Sequence, residues 1–176
     1  MKKIALILVF LALTIGANAQ KNVVKVNPFG LLFGTIPLQY ERVLGPKSSV
    51  GADVSFMSYS ASLGSETVSY TGFGFEGKYK ISLSSKKEMP RGWYVAPLAG
   101  YSSASAKTST KSGGFNILNF GGVAGYQWVF GKSNSGFALD LNLGANYLDL
   151  STSGDASGVS LKGILPRLGL GIGYAF

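Results

Sequence analysis

The chain has 176 residues, a formal net charge of +8, 25 glycines, and neither histidine nor cysteine. The missing residue types exclude Ser–His and Cys–His nucleophile pairs, disulfides and the usual nitrogen and sulfur ligands of zinc. A catalytic site would need a carboxylate pair or a lysine nucleophile. Since no second feature of the chain supports such a site, we expect no enzyme activity, cofactor or metal.

The first 19 residues are typical of a secretory signal peptide. Two lysines precede an apolar run over residues 4–15, and the small residues Ala17 and Ala19 form a cleavage site. A helix that spans a membrane needs about 20 apolar residues, so this run is too short, although an uncleaved anchor remains an alternative. We therefore predict a signal peptide, residues 1–19, followed by one domain, residues 20–176.

Segments of alternating hydrophobicity, separated by turn-rich stretches, follow one another along this domain. Eight of them are predicted as strands. The alternation is blurred in the second half of the first segment, where we expect a β-bulge. The predicted strands cover residues 23–33, 37–44, 49–59, 70–83, 93–102, 114–130, 137–150 and 164–176.

The last segment indicates which environment each face of the sheet meets. Its large apolar residues alternate with three glycines, an alanine and Arg167. A soluble sandwich would pack such an apolar face against other large residues, whereas a small or charged opposite face is typical of lipid outside and a narrow lumen inside. The predicted fold is all-β, an eight-stranded antiparallel up-and-down transmembrane β-barrel.

The alternation assigns four acidic and four basic residues to the lumen. A barrel of eight strands is just wide enough for its own side chains, so these charges are expected to pair. Arg167 and Glu76 lie on the clearest strands and are the preferred pair. The alternative is a polar, conducting path along the same residues. The set comprises Lys25, Glu41, Asp53, Glu76, Lys78, Lys80, Asp140 and Arg167.

An even number of strands places both termini on the periplasmic side. Three polar links, residues 60–69, 103–113 and 151–161, then face outward and are the expected contact surfaces. Lysines in or beside these links are candidates for contacts with lipopolysaccharide phosphates, worth about 1 kcal/mol each, or they serve only to solubilise the loops. They are Lys107, Lys111 and Lys162.

Aromatic residues collect near the predicted periplasmic ends of the strands. A girdle of such residues is expected at a boundary between lipid and water, because their rings are amphipathic. The residues are Trp93, Tyr94, Trp128, Phe130, Phe137, Tyr174 and Phe176.

With these features the chain resembles the small outer-membrane barrels of Gram-negative bacteria, of the OmpA transmembrane-domain and OmpX type. The sequences Asn-Pro-Phe-Gly-Leu-Leu-Phe-Gly at residues 27–34 and Gln-Tyr-Glu-Arg at residues 39–42 also resemble the opening of outer-membrane β-barrel-domain families of unassigned function. The C-terminal pattern is similar to the signal that such proteins present to the barrel-assembly machinery. It consists of Leu168, Leu170, Ile172, Tyr174 and Phe176.

The resemblance implies a cell-envelope protein of the outer membrane, surrounded by lipid and lipopolysaccharide, with the assembly machinery as a folding partner. Export argues against nucleic acid as a partner. Because such families share a barrel more than an activity, we expect a structural or surface-interaction role with a packed lumen. The alternatives are a narrow, porin-like pore for ions or small solutes, and a soluble lipocalin-like barrel that binds an apolar ligand.

Overall fold

The computed structural model describes residues 22–32, 34–63, 66–108, 112–131, 134–155 and 160–176, so the predicted signal peptide lies outside the described residues. Within them one short helix interrupts a series of strands. In chain order the elements are β1 (Asn22–Val26), α1 (Pro28–Leu32), β2 (Thr35–Gly45), β3 (Ser48–Leu63), β4 (Glu66–Ser82), β5 (Gly92–Lys107), β6 (Ser112–Phe130), β7 (Gly136–Gly154) and β8 (Ser160–Ala175).

The eight strands form a closed, barrel-like ring in which each strand pairs antiparallel with the next. The ring closes where β1 pairs with β8, in a register that places Val23 opposite Ala175. The main chains of Asn22 and Phe176 exchange two hydrogen bonds, of 2.9 and 2.8 Å, at what we call the lower end of the ring. The prediction of an all-β fold with eight antiparallel strands is confirmed.

The predicted first strand is wrong in its second half, where the chain forms α1. Asn27 caps this helix, because its Oδ1 accepts a hydrogen bond of 3.0 Å from the main-chain nitrogen of Phe29. Pro28 occupies the first helical position, where no main-chain donor is required. Gly34, at a φ of 67°, follows the helix. The expected β-bulge is therefore a capped helical turn.

No helix of the described residues combines the length and the apolar character that crossing a membrane requires.

The three polar links at the upper end, opposite the termini, are mostly strand rather than loop. The prediction that residues 60–69, 103–113 and 151–161 form loops is wrong over much of their length, since β3 to β8 continue into them. Hydroxyl groups pair across these strands, as Ser60 and Ser69 do at 3.0 Å. Serine and threonine indicated loops, but such cross-strand pairs stabilise a sheet.

The outer face of the ring carries a belt of large apolar side chains. Among the described residues 27 large hydrophobic side chains are exposed, including Phe75 at 54% and Leu143 at 63%. The lower half of the interior buries charged residues such as Glu41 and Lys80 beside apolar residues such as Val23 and Ala138. Large apolar side chains are thus exposed on the outer face, while charged side chains are buried inside.

Candidate functional site

All eight predicted lumen charges lie on the inner face, and the structure brings them together in two clusters. Since every second residue of a strand faces the same side, β4 alone carries Glu76, Lys78 and Lys80 into the interior. The lower cluster consists of Lys25, Glu41, Lys80 and Asp140. The upper cluster consists of Asp53, Glu76, Lys78 and Arg167.

The lower cluster is a square of alternating charges. The Nζ of Lys25 lies 3.0 Å from Glu41 Oε2 and 2.6 Å from Asp140 Oδ2. The Nζ of Lys80 lies 2.8 Å from each of the same two oxygens. All four side chains are between 2% and 4% exposed. Two cations and two anions leave this buried group with no net charge.

Uncharged side chains supply further hydrogen bonds to the ions of the lower cluster. Gln127 Oε1 accepts from Lys25 at 2.8 Å and from Lys80 at 2.7 Å. Each ammonium therefore has three acceptors for its three donors. The hydroxyl of Tyr94 donates to Asp140 Oδ1 at 2.6 Å, and the hydroxyl of Ser49 donates to Glu41 Oε1 at 2.7 Å.

The assignment of Tyr94 to an outer aromatic girdle is wrong. Its side chain is 1% exposed, faces the lumen and lies 4.1 Å below the ammonium of Lys80, measured to the ring centroid. Trp93 precedes it and is exposed on the outer face. Because adjacent strand residues face opposite sides, the alternation itself excludes a shared orientation for these two aromatics.

Glycines make room for the large side chains of the narrow interior. A Cβ on Gly125 would come within 2.7 Å of the Cζ atom of Tyr94. A Cβ on Gly51 would come within 2.8 Å of the Cγ atom of Lys78. Both distances are shorter than nonbonded carbon atoms tolerate, so only glycine permits these approaches.

The upper cluster centres on the paired ions that the sequence favoured. Arg167 binds Glu76 in a bidentate manner, with Nη1–Oε2 and Nη2–Oε1 distances of 2.6 Å each. Asn119 Nδ2 donates to Glu76 Oε2 at 3.1 Å. Beside this pair, Lys78 Nζ lies 2.7 Å from Asp53 Oδ2. Each ion of this cluster contacts an opposite charge.

The segment between β4 and β5 contacts the neighbouring links at the lower end of the ring. The main-chain nitrogen of Met89, whose side chain is buried, donates to the carbonyl oxygen of Pro46 at 3.0 Å. Arg91 Nη2 donates to the carbonyl oxygen of Gly131 at 2.6 Å. These contacts join the link between β4 and β5 to the β2–β3 turn and to the link between β6 and β7.

The family of the chain is established by comparison with known proteins. The model of the family described as "Protein of unknown function (DUF3575)" matches residues 5–154. The chain belongs to this family. No curated protein and no solved structure matches it. The family's description names no function, and the resemblance to OmpA and OmpX barrels stays a prediction.

In this DUF3575 protein the three lysines predicted to meet lipopolysaccharide have different surroundings. Lys162 pairs with Asp149 at 2.8 Å on the outer face. Lys107 is exposed at the upper end of β5. Lys111 lies outside the described residues. The structure thus gives Lys162 a local partner on the outer face.

The predicted assembly signal follows β8 to the last residue. Leu168 and Tyr174 are 68% and 55% exposed on the outer face. Leu170, Ile172 and Phe176 are partly exposed. In the described parts of the chain no group of three or more histidine, cysteine or acidic residues is placed to hold a metal ion.

Proposed function

We propose that the protein is an integral outer-membrane β-barrel with a structural or surface-interaction role, exported by residues 1–19. The observation that carries this proposal is the apolar belt on the outer face. On β4 the belt runs from Phe73 to Ile81 and on β5 from Trp93 to Tyr101, nine residues on each strand. A transmembrane β-strand takes about 9–11 residues. A belt of this height exposed to water would promote aggregation.

Aromatic residues border the belt at its lower end. The ring of Tyr126 lies 5.1 Å from that of Trp93 and 4.5 Å from that of Trp128, between centroids. Phe130 and Phe137 form a further pair at 5.9 Å. Such a cluster fits the girdle that membrane barrels place at the interface of lipid and water.

A second group of aromatic residues borders the belt at its upper end. Phe73 and Tyr101 lie 6.4 Å apart and Phe120 and Tyr147 lie 5.0 Å apart, between ring centroids. Beyond this border the outer face becomes polar, as the hydrogen bond between Ser60 and Ser69 illustrates. We infer that the strands project above the membrane there and form the contact surface.

The structure of the lumen favours a packed interior over the alternative of a pore. Both charge clusters are internally paired, and the Met89 segment joins the links at the lower end. Every acidic residue of the two clusters is bound to a lysine or arginine, so the proposal includes no catalytic role. Lipid and lipopolysaccharide would surround the belt, and the assembly machinery would recognise β8.

A closed ring of eight strands also occurs in soluble lipocalin-like binders, so the ring alone does not separate the two classes. The distribution of residues favours the membrane protein. We do not expect a soluble barrel to bury ionised side chains in its lower interior while it exposes side chains such as Phe75 and Leu143 to water.

Fractionation of cells that express the full chain tests this proposal. We expect the protein in the outer-membrane fraction, resistant to extraction with alkaline carbonate. On SDS gels, unboiled and boiled samples should migrate differently, because a closed barrel resists the detergent. A protein recovered in the soluble periplasmic fraction, with identical migration of the two samples, would contradict the proposal.

A further inference from the structure

The alternation of polar and apolar residues reverses towards the upper end of the ring. Near the upper cluster the inner face carries Glu76, which pairs in register with Gly100. Six residues earlier on β4, the same face carries Tyr70, which pairs with Ala106. The outer face changes in the opposite sense, since Thr71 and Ser105 share a hydrogen bond of 3.3 Å there. The upper part of the ring is therefore polar outside and apolar inside.

The reversal extends around the ring. On β6 the inner face changes from Asn119 to Ile117 and then to Phe115, towards the upper end. In register with the first two of these residues, β7 places Leu148 and Leu150 on the same face. These inward residues lie on the opposite side of the sheet from the apolar belt, so the outward belt does not account for them.

An open cavity of about 380 Å³ lies at the upper end of the interior. Polar residues such as Thr108 and Asp155 contribute to its lining, and its apolar lining includes Val68, Tyr70, Ala106 and Phe115. All four lie on the inner face by their register. The volume falls within the range of known ligand sites, about 300–1,000 Å³. Below it, the charges of the upper cluster are engaged with one another and offer a polar ligand no free ion.

We propose that this cavity binds an alkyl chain. The apolar part of the lining takes such a chain out of water, and burial of its methylene groups supplies the affinity. The narrow interior of an eight-stranded ring suits a slender ligand better than a broad one. The inference goes beyond the proposed function, because it depends on the register of the strands and not on insertion in a membrane.

The alkyl chain can come from two sources. One is a free amphiphile that enters through the upper end. The other is a membrane lipid that enters from the side, where β1 ends at Val26. Above Val26 no described strand pairs with the free edge of β8, and α1 lies beside β8 and β2 instead. Phe29 and Leu31 of α1 are exposed.

Quenching of tryptophan fluorescence by a brominated alkyl chain tests the proposal. Both native tryptophans, Trp93 and Trp128, are first changed to phenylalanine. The reporter Phe115→Trp then faces the cavity, and the control Ser153→Trp faces outward at the same height, since Thr152 pairs with Phe115. One arm adds a dibrominated fatty acid to the protein in vesicles of ordinary lipid. The other arm uses vesicles of a phospholipid with brominated chains and no added fatty acid.

We expect saturable quenching of the Phe115→Trp reporter and little quenching of the Ser153→Trp control. The arm in which quenching occurs identifies the source of the chain. Adding Val68→Gln should weaken binding of the dibrominated fatty acid about tenfold or more, because a polar amide replaces apolar lining. Equal quenching of the reporter and the control, or no quenching of the reporter in either arm, would overturn the proposal.

The quenching test of the cavity and the fractionation test of the proposed function can fail independently of each other. If fractionation returned a soluble protein, the fatty-acid arm would be run in buffer without vesicles. Quenching there would support the cavity while the membrane proposal failed. Conversely, an integral membrane protein with an unquenched reporter would retain the proposed function and lose the cavity.

Discussion

Tyr94 shows how strongly the buried charges depend on uncharged neighbours. Its hydroxyl donates to Asp140 at 2.6 Å, and its ring lies against the ammonium of Lys80. Gln127 bridges Lys80 and Lys25 in a similar way. A buried pair of ions is stable only when its remaining donors and acceptors are satisfied. These partners are therefore part of the cluster as much as the charges are.

Loss of one acidic residue from the lower cluster should be severely destabilising. Asp140→Asn leaves two lysines facing one carboxylate, and breaking a buried pair in this way costs about 3–5 kcal/mol. Denaturant unfolding of the protein in detergent micelles would measure the change in the free energy of unfolding. The control is Asp149→Asn, which breaks the exposed pair with Lys162 and should have little effect. Equal effects of the two substitutions would refute the ionised cluster.

Removal of a single hydroxyl group tests the role assigned to Tyr94. Tyr94→Phe should lower the free energy of unfolding by about 1.5–3 kcal/mol, the range for hydrogen bonds to charged groups. The matched control is Tyr101→Phe, whose exposed hydroxyl donates to Asn116 at 2.8 Å and can be replaced by water. The same unfolding assay applies. A change at Tyr94 no larger than that at Tyr101 would show that the bond to Asp140 contributes little.

At the scale of single elements, the sequence predicts strands well where the two faces differ strongly. On β4, β6, β7 and β8 large apolar residues alternate with glycine, amides or charges, so both the element and its orientation follow. The prediction of the first element fails because residues 28–33 are mostly apolar on both faces of a strand, so their hydrophobicity shows no period of two. There the signals are Asn27, Pro28 and Gly34, which cap a helix.

The arrangement of the lumen charges is only partly predictable from the sequence, because it depends on the register of the strands. Alternation places the eight charges inside, since it needs only the parity of each position. The division into two clusters depends on how the strands are staggered around the ring, which brings Lys25 to Gln127 across 102 positions of the chain. Nothing local in the sequence encodes that stagger. The prediction makes the upper loops too long, because their serine and threonine residues are as compatible with polar strands as with loops.

Phe176, which directly follows β8, should matter for assembly more than for export. Phe176 pairs with Asn22 through two main-chain hydrogen bonds and ends the predicted assembly signal. We expect deletion of Phe176 to lower the yield of the heat-modifiable form in the outer membrane while the signal peptide is still cleaved. Phe137→Ala, which changes another aromatic of the lower end, should assemble. Normal membrane yield of the deletion would count against the signal.

At the scale of the whole molecule, the packed lumen predicts an absence of conduction. Two paired charge clusters lie in the interior, and in the proposed function they leave no open polar path along the axis of the ring. Protein inserted in planar bilayers should show no single-channel current above that of lipid alone. Discrete openings that the substitution Arg167→Ala alters would instead favour the pore.

The central claim is that the apolar outer belt meets hydrocarbon, and spin labels test it directly. The chain has no cysteine, so single cysteines can be introduced without background labelling. Labels at Phe75→Cys and Leu141→Cys lie in the belt, and one at Ser60→Cys lies above it. In vesicles we predict that oxygen relaxes the two belt labels more than a water-soluble nickel complex does, with the reverse at position 60. Belt labels that the nickel complex reaches as readily as position 60 would contradict the account.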